Sequence, residues 1–160
     1  MTKIFENITI LELSDNAGEY TGKLFAGMGA HVIKVEPPNG SKSRNVGPFI
    51  HNTPDANSSL KFFQNNTNKD SITLDITKQT GLDIFRQLLP SIDIVIEDGQ
   101  KIGQKNLPIS FEDIQNINKN TILLSLSPLG KTLESENFST NDFINLAYGG
   151  PLWSCGYDDH

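Results

Sequence analysis

The chain has 160 residues, of which 36% are hydrophobic, with 13 lysines and arginines against 19 aspartates and glutamates. This length suits roughly one domain, and apolar residues in periodic runs exclude a disordered chain. A net charge of −6 argues against the basic patches that nucleic acids and anionic membranes require, so we expect neither as a partner. The apolar runs are too short to span a bilayer. The single cysteine excludes an internal disulfide framework and suits the cytoplasm.

The first predicted elements alternate between strand and helix: a strand over 8–13, a turn over 14–18, a helix over 20–28 and a second strand over 31–35. The helix is indicated by four apolar residues at helical spacing: Tyr20, Leu24, Phe25 and Met28. Gly29 follows as its C-terminal cap. Pro37 and Pro38 end the second strand because proline cannot continue a ladder.

Residues 39–70 interrupt this alternation with a segment rich in Asn, Ser, Lys, Gly and Pro. The segment is too long for a plain connector, so we expect a long loop that is either functional or disordered in isolation. Alternation then returns: a strand over 71–75, a helix over 77–89, a strand over 92–96, a polar loop over 98–108, a short helix after Ser110, a strand over 121–126 and a helix over 141–148. Thr77 is the expected N-cap of the first of these helices, and Ser110 with Asp113 has the spacing of a capping box.

Strands that alternate with helices predict an α/β fold with a mostly parallel sheet. Ile, Val and Leu fill the predicted strands, which agrees with strands that are covered on both faces. Ligands of such sheets bind beyond the carboxyl ends of the strands. We therefore expect any chemistry in the five turns that follow the strands, at 14–17, 36–38, 75–77, 97–99 and 127–132.

Two glycine motifs resemble phosphate-binding loops but lie in the wrong context. Gly27 and Gly29 close a helix and precede a strand, whereas a dinucleotide loop follows a strand and opens a helix. The segment 130–132, GKT, follows a strand, but a phosphate loop needs a glycine where this chain has Ser125. We interpret the first motif as a helix cap with a tight turn, and the second does not support a nucleotide triphosphatase.

The titratable side chains form no recognisable metal site or activated nucleophile in the sequence. The three histidines, His31, His51 and His160, are scattered, and no His/Cys/Asp/Glu spacing fits a metal. We interpret Cys155 as a buried or idle thiol, and Asp142 as a carboxylate that stabilises the start of the last helix. From the residues alone we expect a cytoplasmic α/β domain with a ligand edge but without a defined reaction.

Six segments of the chain carry motifs that are weak singly and specific as a series. They lie at 11–20, 24–38, 68–75, 93–97, 127–132 and 141–150. The longest, 24–38, reads LFAGMGAHVIKVEPP, and 68–75 reads NKDSITLD. In order and spacing the series resembles the family III CoA-transferases, the group that contains formyl-CoA transferase and the carnitine CoA-transferase. In that family the corresponding segments typically read LGA, one variable residue and VIKVEPP, and NKRSVTLD.

The resemblance implies the amino-terminal part of the family's Rossmann-like large domain, and hence a mostly parallel but incomplete sheet. It implies CoA transfer from an acyl-CoA donor to a free carboxylate, with these small molecules as partners and no metal. Family members form an interlocked dimer, so a homo- or hetero-oligomer is implied. The family's nucleophile is an aspartate that becomes an acyl anhydride. It is expected beyond His160, and Asp142 matches a different aspartate, on a helix.

Six residues match family positions that bind CoA: Asp15, Asn16, Ala17, Leu74, Thr77 and Asp98. The first three match the segment that lines the pantetheine and catalytic pocket, and Leu74 matches a residue near the adenine. The family often has a lysine at the position of Thr77 and an asparagine at that of Asp98. An aspartate ~4 Å from another negative charge is repelled by roughly 4 kcal/mol at an effective dielectric of about 20. These departures indicate weaker CoA binding or a divergent member.

Three functions are carried forward from the sequence. The first is CoA transfer, or a related reaction on the same fold such as acyl-CoA racemisation. The second is a non-catalytic CoA-binding module or a degenerate subunit, because the family's nucleophile is not expected within the chain. The third is an unrelated α/β interaction domain, which a non-parallel sheet would favour.

Overall fold

The computed structural model describes residues 3–15, 17–98, 108–127 and 141–156. Five strands lie within these ranges: β1 (Thr9–Leu13), β2 (His31–Glu36), β3 (Asp70–Thr73), β4 (Ile94–Asp98) and β5 (Ile122–Leu126). They form one sheet in the order β3-β2-β1-β4-β5, and every neighbouring pair is parallel. The predicted α/β fold with a parallel sheet is therefore confirmed. The described strands do not form the non-parallel sheet that would favour the third function, an unrelated α/β interaction domain.

Helices connect the strands, as a parallel sheet requires. The described α-helices are α1 (Ala17–Gly27), α2 (Leu60–Asn66), α3 (Gln79–Leu88), α4 (Phe111–Ile117) and α5 (Asp142–Tyr148). Short 3-10 turns occur at Lys42–Asn45, Ile50–Asn52, Leu89–Ser91 and Pro151–Ser154. In the described part of the chain, no helix is both long and apolar enough to cross a bilayer.

Apolar side chains fill both faces of the sheet, because successive strand residues point to opposite sides. Leu11 and Val95 pack on one face with Phe85 of α3 and Ile114 of α4. The neighbouring residues Ile10 and Ile96 pack on the other face, where α1 contributes Ala26. The sheet is therefore the middle of three layers, with α1 on one side and α3 and α4 on the other.

Helix α1 differs from the sequence prediction in its start and in its buried face. It begins at Ala17, so Ala17 and Gly18 belong to the helix and not to the predicted turn. Tyr20, Leu24 and Met28, at helical spacing, are 54%, 47% and 39% exposed. The buried residues are instead Gly18, Glu19, Gly22 and Ala26. A face of small residues lets the helix lie close to the sheet, and that close packing decides which side is covered.

Side-chain caps begin three of the helices, but one predicted cap is wrong. Ser110 and Asp113 form the expected capping box of α4, and Asn141 caps α5. Helix α3 begins at Gln79 instead of following Thr77 directly. The hydroxyl and the N–H of Thr77 both donate to Asp75 Oδ1, at 2.6 and 3.2 Å, so Thr77 belongs to a local turn and Lys78 takes the N-cap position.

The segment 39–70 contains more regular structure than the predicted long loop. It includes two 3-10 turns and α2, whose N-cap Ser59 accepts a hydrogen bond from the Phe62 N–H. Phe49 and Ser59 form an isolated antiparallel bridge, which closes the intervening chain. Of the predicted loop over 98–108, Asp98 belongs instead to β4, and residues 99–107 lie outside the described residues. The GKT segment, His160 and Asn16 also lie outside them.

Candidate functional site

The carboxyl ends of β1 and β4 meet where the strand order reverses. The chain moves from β1 to β2 and β3 on one side, and β4 and β5 continue on the other. Asp15 follows β1 by two residues, and its N–H donates to both carboxylate oxygens of Asp98, at 3.2 and 3.0 Å. Asp98, the last residue of β4, is 6% exposed. In open α/β sheets this switch point is the usual ligand crevice.

A third segment, the turn that follows β2, also contacts this switch point. The loop that follows β1 and contains Asp15 is called the first loop. The Lys42 N–H donates to Asp15 Oδ1 at 3.1 Å, so the turn at Lys42–Asn45 contacts the first loop directly. Ala17 lies at the start of α1, next in the chain to the undescribed Asn16. The structure thus brings together Asp15 and Asp98, with Ala17 two residues from Asp15. We call the carboxyl ends of β1, β2, β3 and β4 with these loops the coenzyme edge, because the family resemblance implies CoA-binding positions in these turns.

Leu74 and Thr77 lie at the same edge, but farther along it. Both follow β3, which is separated from β4 by β2 and β1; at ~4.8 Å per strand spacing this is about 14 Å. Thr77 is exposed, whereas the Leu74 side chain is 9% exposed and belongs to the hydrophobic core. The Leu74 N–H donates to the Glu36 carbonyl oxygen at 2.9 Å. The backbone and exposed atoms of this turn, more than the Leu74 side chain, are therefore accessible at this edge.

Beneath the coenzyme edge lies a buried cluster of four charged side chains, which the sequence analysis missed. The Lys34 Nζ is 3.2 Å from Glu12 Oε1 and 2.9 Å from Glu19 Oε1. The Lys69 Nζ is 2.7 Å from Glu12 Oε2 and donates to the Glu19 carbonyl oxygen at 2.8 Å. All four side chains are at most 1% exposed. They tie β1, β2 and α1 to the end of the 39–70 segment.

Desolvation is the largest influence on the pKa values of two members of this cluster, Glu12 and Lys69. Burial raises the pKa of Glu12 above 4.5, and the attraction of Lys34 and Lys69 only partly opposes it. Burial likewise lowers the pKa of Lys69, against the attraction of Glu12. Two carboxylates and two ammonium groups have equal and opposite formal charges. Ion pairing therefore makes their burial tolerable rather than strongly favourable.

A further buried carboxylate, Glu36, ends β2 at the coenzyme edge. It accepts hydrogen bonds from Arg44 Nε at 2.6 Å and Arg44 Nη2 at 2.8 Å. The Ser71 hydroxyl and the Ser41 N–H also donate to it, at 2.6 and 3.0 Å. The Arg44 guanidinium lies 3.7 Å from the ring centroid of Phe62. Burial would raise the pKa of Glu36, but hydrogen bonds from Arg44, Ser71 and Ser41 outweigh it and lower the pKa to about 2.

A sequence signal for these carboxylates and lysines does exist. Glu12 and Lys34 each lie within an otherwise apolar strand, and they are direct partners in the β1–β2 register. They share a sheet face with Ile10 and Val32, two residues earlier in each strand. Opposite charges at the same depth of two predicted neighbouring strands therefore indicate a buried ion pair. The partners Glu19 and Lys69 become visible only when α1 and the 39–70 segment are placed.

The remaining titratable candidates lie away from the coenzyme edge. His31 begins β2, at the opposite edge of the sheet, and its Nε2 is 2.8 Å from Asp70 Oδ2. Cys155 is exposed beyond α5. Across residues 3–15, 17–98, 108–127 and 141–156, no group of three or more His, Cys, Asp or Glu side chains could hold a metal ion. The carboxylates described at this edge are anchored by hydrogen bonds from other segments, which hold the surrounding loops in defined positions.

A five-stranded parallel sheet in this strand order, which reverses direction between β1 and β4, defines the class of Rossmann-like domains. The particular family follows from the sequence itself. The chain belongs to CoA-transferase family III, whose family model matches residues 5–160. The motif series in the sequence had indicated the same family, and that identification is confirmed.

Individual relatives match over nearly the whole chain. A succinyl-CoA:(R)-benzylsuccinate CoA-transferase subunit from Thauera aromatica is 31% identical over 158 residues, 99% of this chain and 38% of the relative. A formyl-CoA:oxalate CoA-transferase from Streptomyces avermitilis is 28% identical, over 99% of this chain and 38% of the relative. A CAIB/BAIF family protein from Brucella suis matches with a TM-score of 0.81 at 28% identity, over 100% of this chain and 43% of that chain. The chain thus spans about two fifths of the length of these relatives.

Proposed function

We propose that this chain supplies the coenzyme edge of a CoA-transferase that moves CoA from an acyl-CoA donor to a free carboxylate. One observation carries the proposal: the N–H of Asp15 is hydrogen-bonded to Asp98 at the topological switch point of a parallel sheet. Membership of CoA-transferase family III supports the identity of the ligand. The names of the relatives, which act on succinyl-CoA or formyl-CoA, support acyl-CoA as the donor class.

CoA is an elongated molecule with a nucleotide at one end and a thiol at the other, so its two ends need separate contacts. We assign the pantetheine and thiol end to the first loop, with Asp15, Asn16 and Ala17. The adenine end is assigned to the turn after β3, with Leu74 and Thr77. Asp98 has the role of holding the first loop, because its carboxylate accepts the Asp15 N–H. This hydrogen bond supports a role for Asp98 in shaping the first loop. It also reduces the repulsion that the Asp98 carboxylate would exert on a phosphate of CoA.

Isothermal titration of the 160-residue chain with CoA tests the coenzyme edge. We expect saturable binding. Asp15→Ala should weaken it about tenfold, because it removes the carboxylate that accepts the Lys42 N–H, and loss of a hydrogen bond to a charged group costs roughly that factor. The matched control is Asp83→Ala, on the exposed surface of α3 and outside the coenzyme edge. Absence of binding heat at millimolar CoA would refute the proposal and leave only a structural or partner-binding role.

The catalytic nucleophile is proposed to lie outside residues 1–160. The 160-residue chain, mixed with an acyl-CoA and a carboxylate acceptor, should therefore produce no new acyl-CoA, as followed by chromatography. Asp142 is assigned to the N-terminus of α5, where a carboxylate is stabilised by the helix dipole. Turnover by the wild-type chain that is abolished in Asp142→Ala would overturn both assignments.

A second candidate is a non-catalytic or degenerate subunit that works beside a full-length partner in a homo- or hetero-oligomer. It is favoured by the Thauera aromatica relative, whose name describes a subunit of its CoA-transferase. The two candidates differ in an assay with a catalytically active family III enzyme added. Only the subunit candidate predicts a stable complex between the two chains in sedimentation velocity.

A further inference from the structure

We propose that Glu36 and Arg44 are positioning residues that fix the first loop of the coenzyme edge. The inference rests on the proposed function, because it names the residues that set the shape of the site to which CoA is assigned. The sequence analysis placed Glu36 in one of the five turns expected to hold chemistry, but it assigned no role to either side chain. The inference depends on a continuous path of hydrogen bonds from β2 to the switch point.

The path starts at Glu36, which is held from several directions. Its side chain is 4% exposed, and it accepts four hydrogen bonds, two of them from Arg44. The other two donors, Ser41 and Ser71, come from the turn after β2 and from β3. A carboxylate with a bidentate guanidinium partner has a defined orientation as well as a strong interaction. Glu36 is thus a fixed acceptor at the carboxyl end of β2.

Arg44 makes a second contact, with the aromatic ring of Phe62. Its guanidinium plane lies over the ring of Phe62, which is 9% exposed and belongs to α2. Arginine is suited to this position because its planar fork can pair with a carboxylate and stack on an aromatic ring together. The turn at Lys42–Asn45 is therefore clamped between β2 and α2.

The clamped turn reaches the first loop through Lys42 and helix α1 through Ser43. Lys42 donates its N–H to Asp15 Oδ1, and the Ser43 hydroxyl donates to Glu19 Oε1 at 2.6 Å. The same Asp15 donates its own N–H to Asp98. Ser41 and Arg44, both bound to Glu36, flank Lys42 and Ser43 in the chain. A displacement of Arg44 must therefore shift the Lys42 N–H relative to Asp15.

The test compares Arg44→Lys with the matched control Arg86→Lys. Arg86 pairs with Asp83 at 3.2 Å on the exposed side of α3, outside the path. Lysine keeps the charge but loses the two-pronged contact with Glu36. Two quantities are measured on the 160-residue chain: the backbone amide resonances of Asp15 and Lys42 by NMR, and the dissociation constant of CoA. A thermal unfolding scan establishes that each variant is folded.

We expect Arg44→Lys to shift both amide resonances and weaken CoA binding about tenfold, the effect of one lost charged hydrogen bond. Arg86→Lys should change neither. Unmoved amide resonances, or moved resonances with unchanged CoA affinity, overturn the positioning role. Should Arg44→Lys fail to fold, Phe62→Leu decides by the same two measurements, because it removes the stacking partner and leaves the pair with Glu36. Absence of CoA binding by the wild type refutes the proposed function instead, and the amide resonances still decide whether the clamp fixes the loop.

Discussion

Lys34 lies between Glu12 and Glu19, and all three side chains are closed off from water. Such pairs are weak contributors to net stability, because the attraction between the charges mostly offsets their desolvation. Removing one member has a much larger effect, because it leaves a buried charge without compensation. The cluster therefore behaves as a unit whose members depend on one another.

Substitution of Lys34 by methionine tests this dependence. Glu12 and Glu19 would lose a shared partner, and we expect Lys34→Met to lower the free energy of unfolding by about 3–5 kcal/mol. Chemical denaturation measures the change. The control is Lys119→Met at an exposed position before β5, which should change the value by less than about 0.5 kcal/mol. Equal effects of the two substitutions would show that the buried cluster is not coupled as described.

The lowered pKa of Glu36 predicts how the stability of the fold depends on pH. Its pKa is about 2 in the folded chain against an ordinary 4.5, because hydrogen bonds outweigh burial. The ionised carboxylate therefore stabilises the fold fully above pH 4.5, and this contribution is lost as the pH falls towards 2. The stability difference between wild type and Glu36→Gln should be constant above pH 4.5 and shrink below it. Urea denaturation between pH 7 and pH 3 measures it, and a difference that stays constant over that range would contradict the assignment.

At the scale of elements, α1 shows how a glycine lets a helix approach buried charges. A Cβ at Gly22 would overlap with Glu12 Oε2 and would lie 3.1 Å from Lys69 Nζ. The absence of a side chain at this position therefore makes room for the ion pair between β1 and the 39–70 segment. Gly18 has a similar role, since a Cβ there would overlap with the Ser14 side chain.

The prediction for α1 compares two glycines of the same helix. Gly22→Ala should lower the free energy of unfolding by about 1–3 kcal/mol or more, because an extra methyl group cannot be accommodated in a packed interior. A Cβ at Gly27 would have nothing within 4 Å. Gly27→Ala should thus be neutral or stabilise the chain by about 0.5–1 kcal/mol, through the better helix propensity of alanine. Thermal unfolding by circular dichroism measures both; a similar loss at both positions would refute the close approach.

For the whole molecule, the distribution of apolar surface is uneven. Apolar side chains fill both faces of the sheet, whereas the chain from α5 onwards exposes three aromatic side chains. Phe143, Tyr148 and Trp153 are 69%, 62% and 97% exposed. Clustered exposed aromatic side chains favour association. We therefore expect the 160-residue chain to self-associate in solution.

Sedimentation velocity tests this association. The double variant Phe143→Ser, Trp153→Ser should raise the monomer fraction several-fold at equal concentration, because it removes two of the exposed aromatic groups. The control is Ile84→Ser, which also removes an exposed apolar side chain, 47% exposed, but from α3. A wild-type chain that sediments as a clean monomer would count against the prediction.

The periodic pattern of the sequence was sufficient for the order of the strands and for the class of fold, but it missed α2 within the predicted loop over 39–70. Apolar strands alternating with helices can be packed in few ways, so the parallel sheet and its carboxyl edge could be predicted. The capping box at Ser110 was also predicted, because its partners are three residues apart and need no tertiary contact. The motif series identified the family for the same reason, since each motif is contiguous in the chain.

Only the tertiary structure decided which residues support the coenzyme edge. The exposed side of α1 and the partners of Glu36 and Lys34 depend on contacts between segments far apart in the chain. Lys69, for example, lies 57 positions from Glu12. A charged residue in a sequence is normally expected at the surface, and its burial becomes favourable only when a partner arrives from elsewhere. The local pattern therefore determines the elements and their order, and long-range pairing of buried charges determines how the loops at their ends are held.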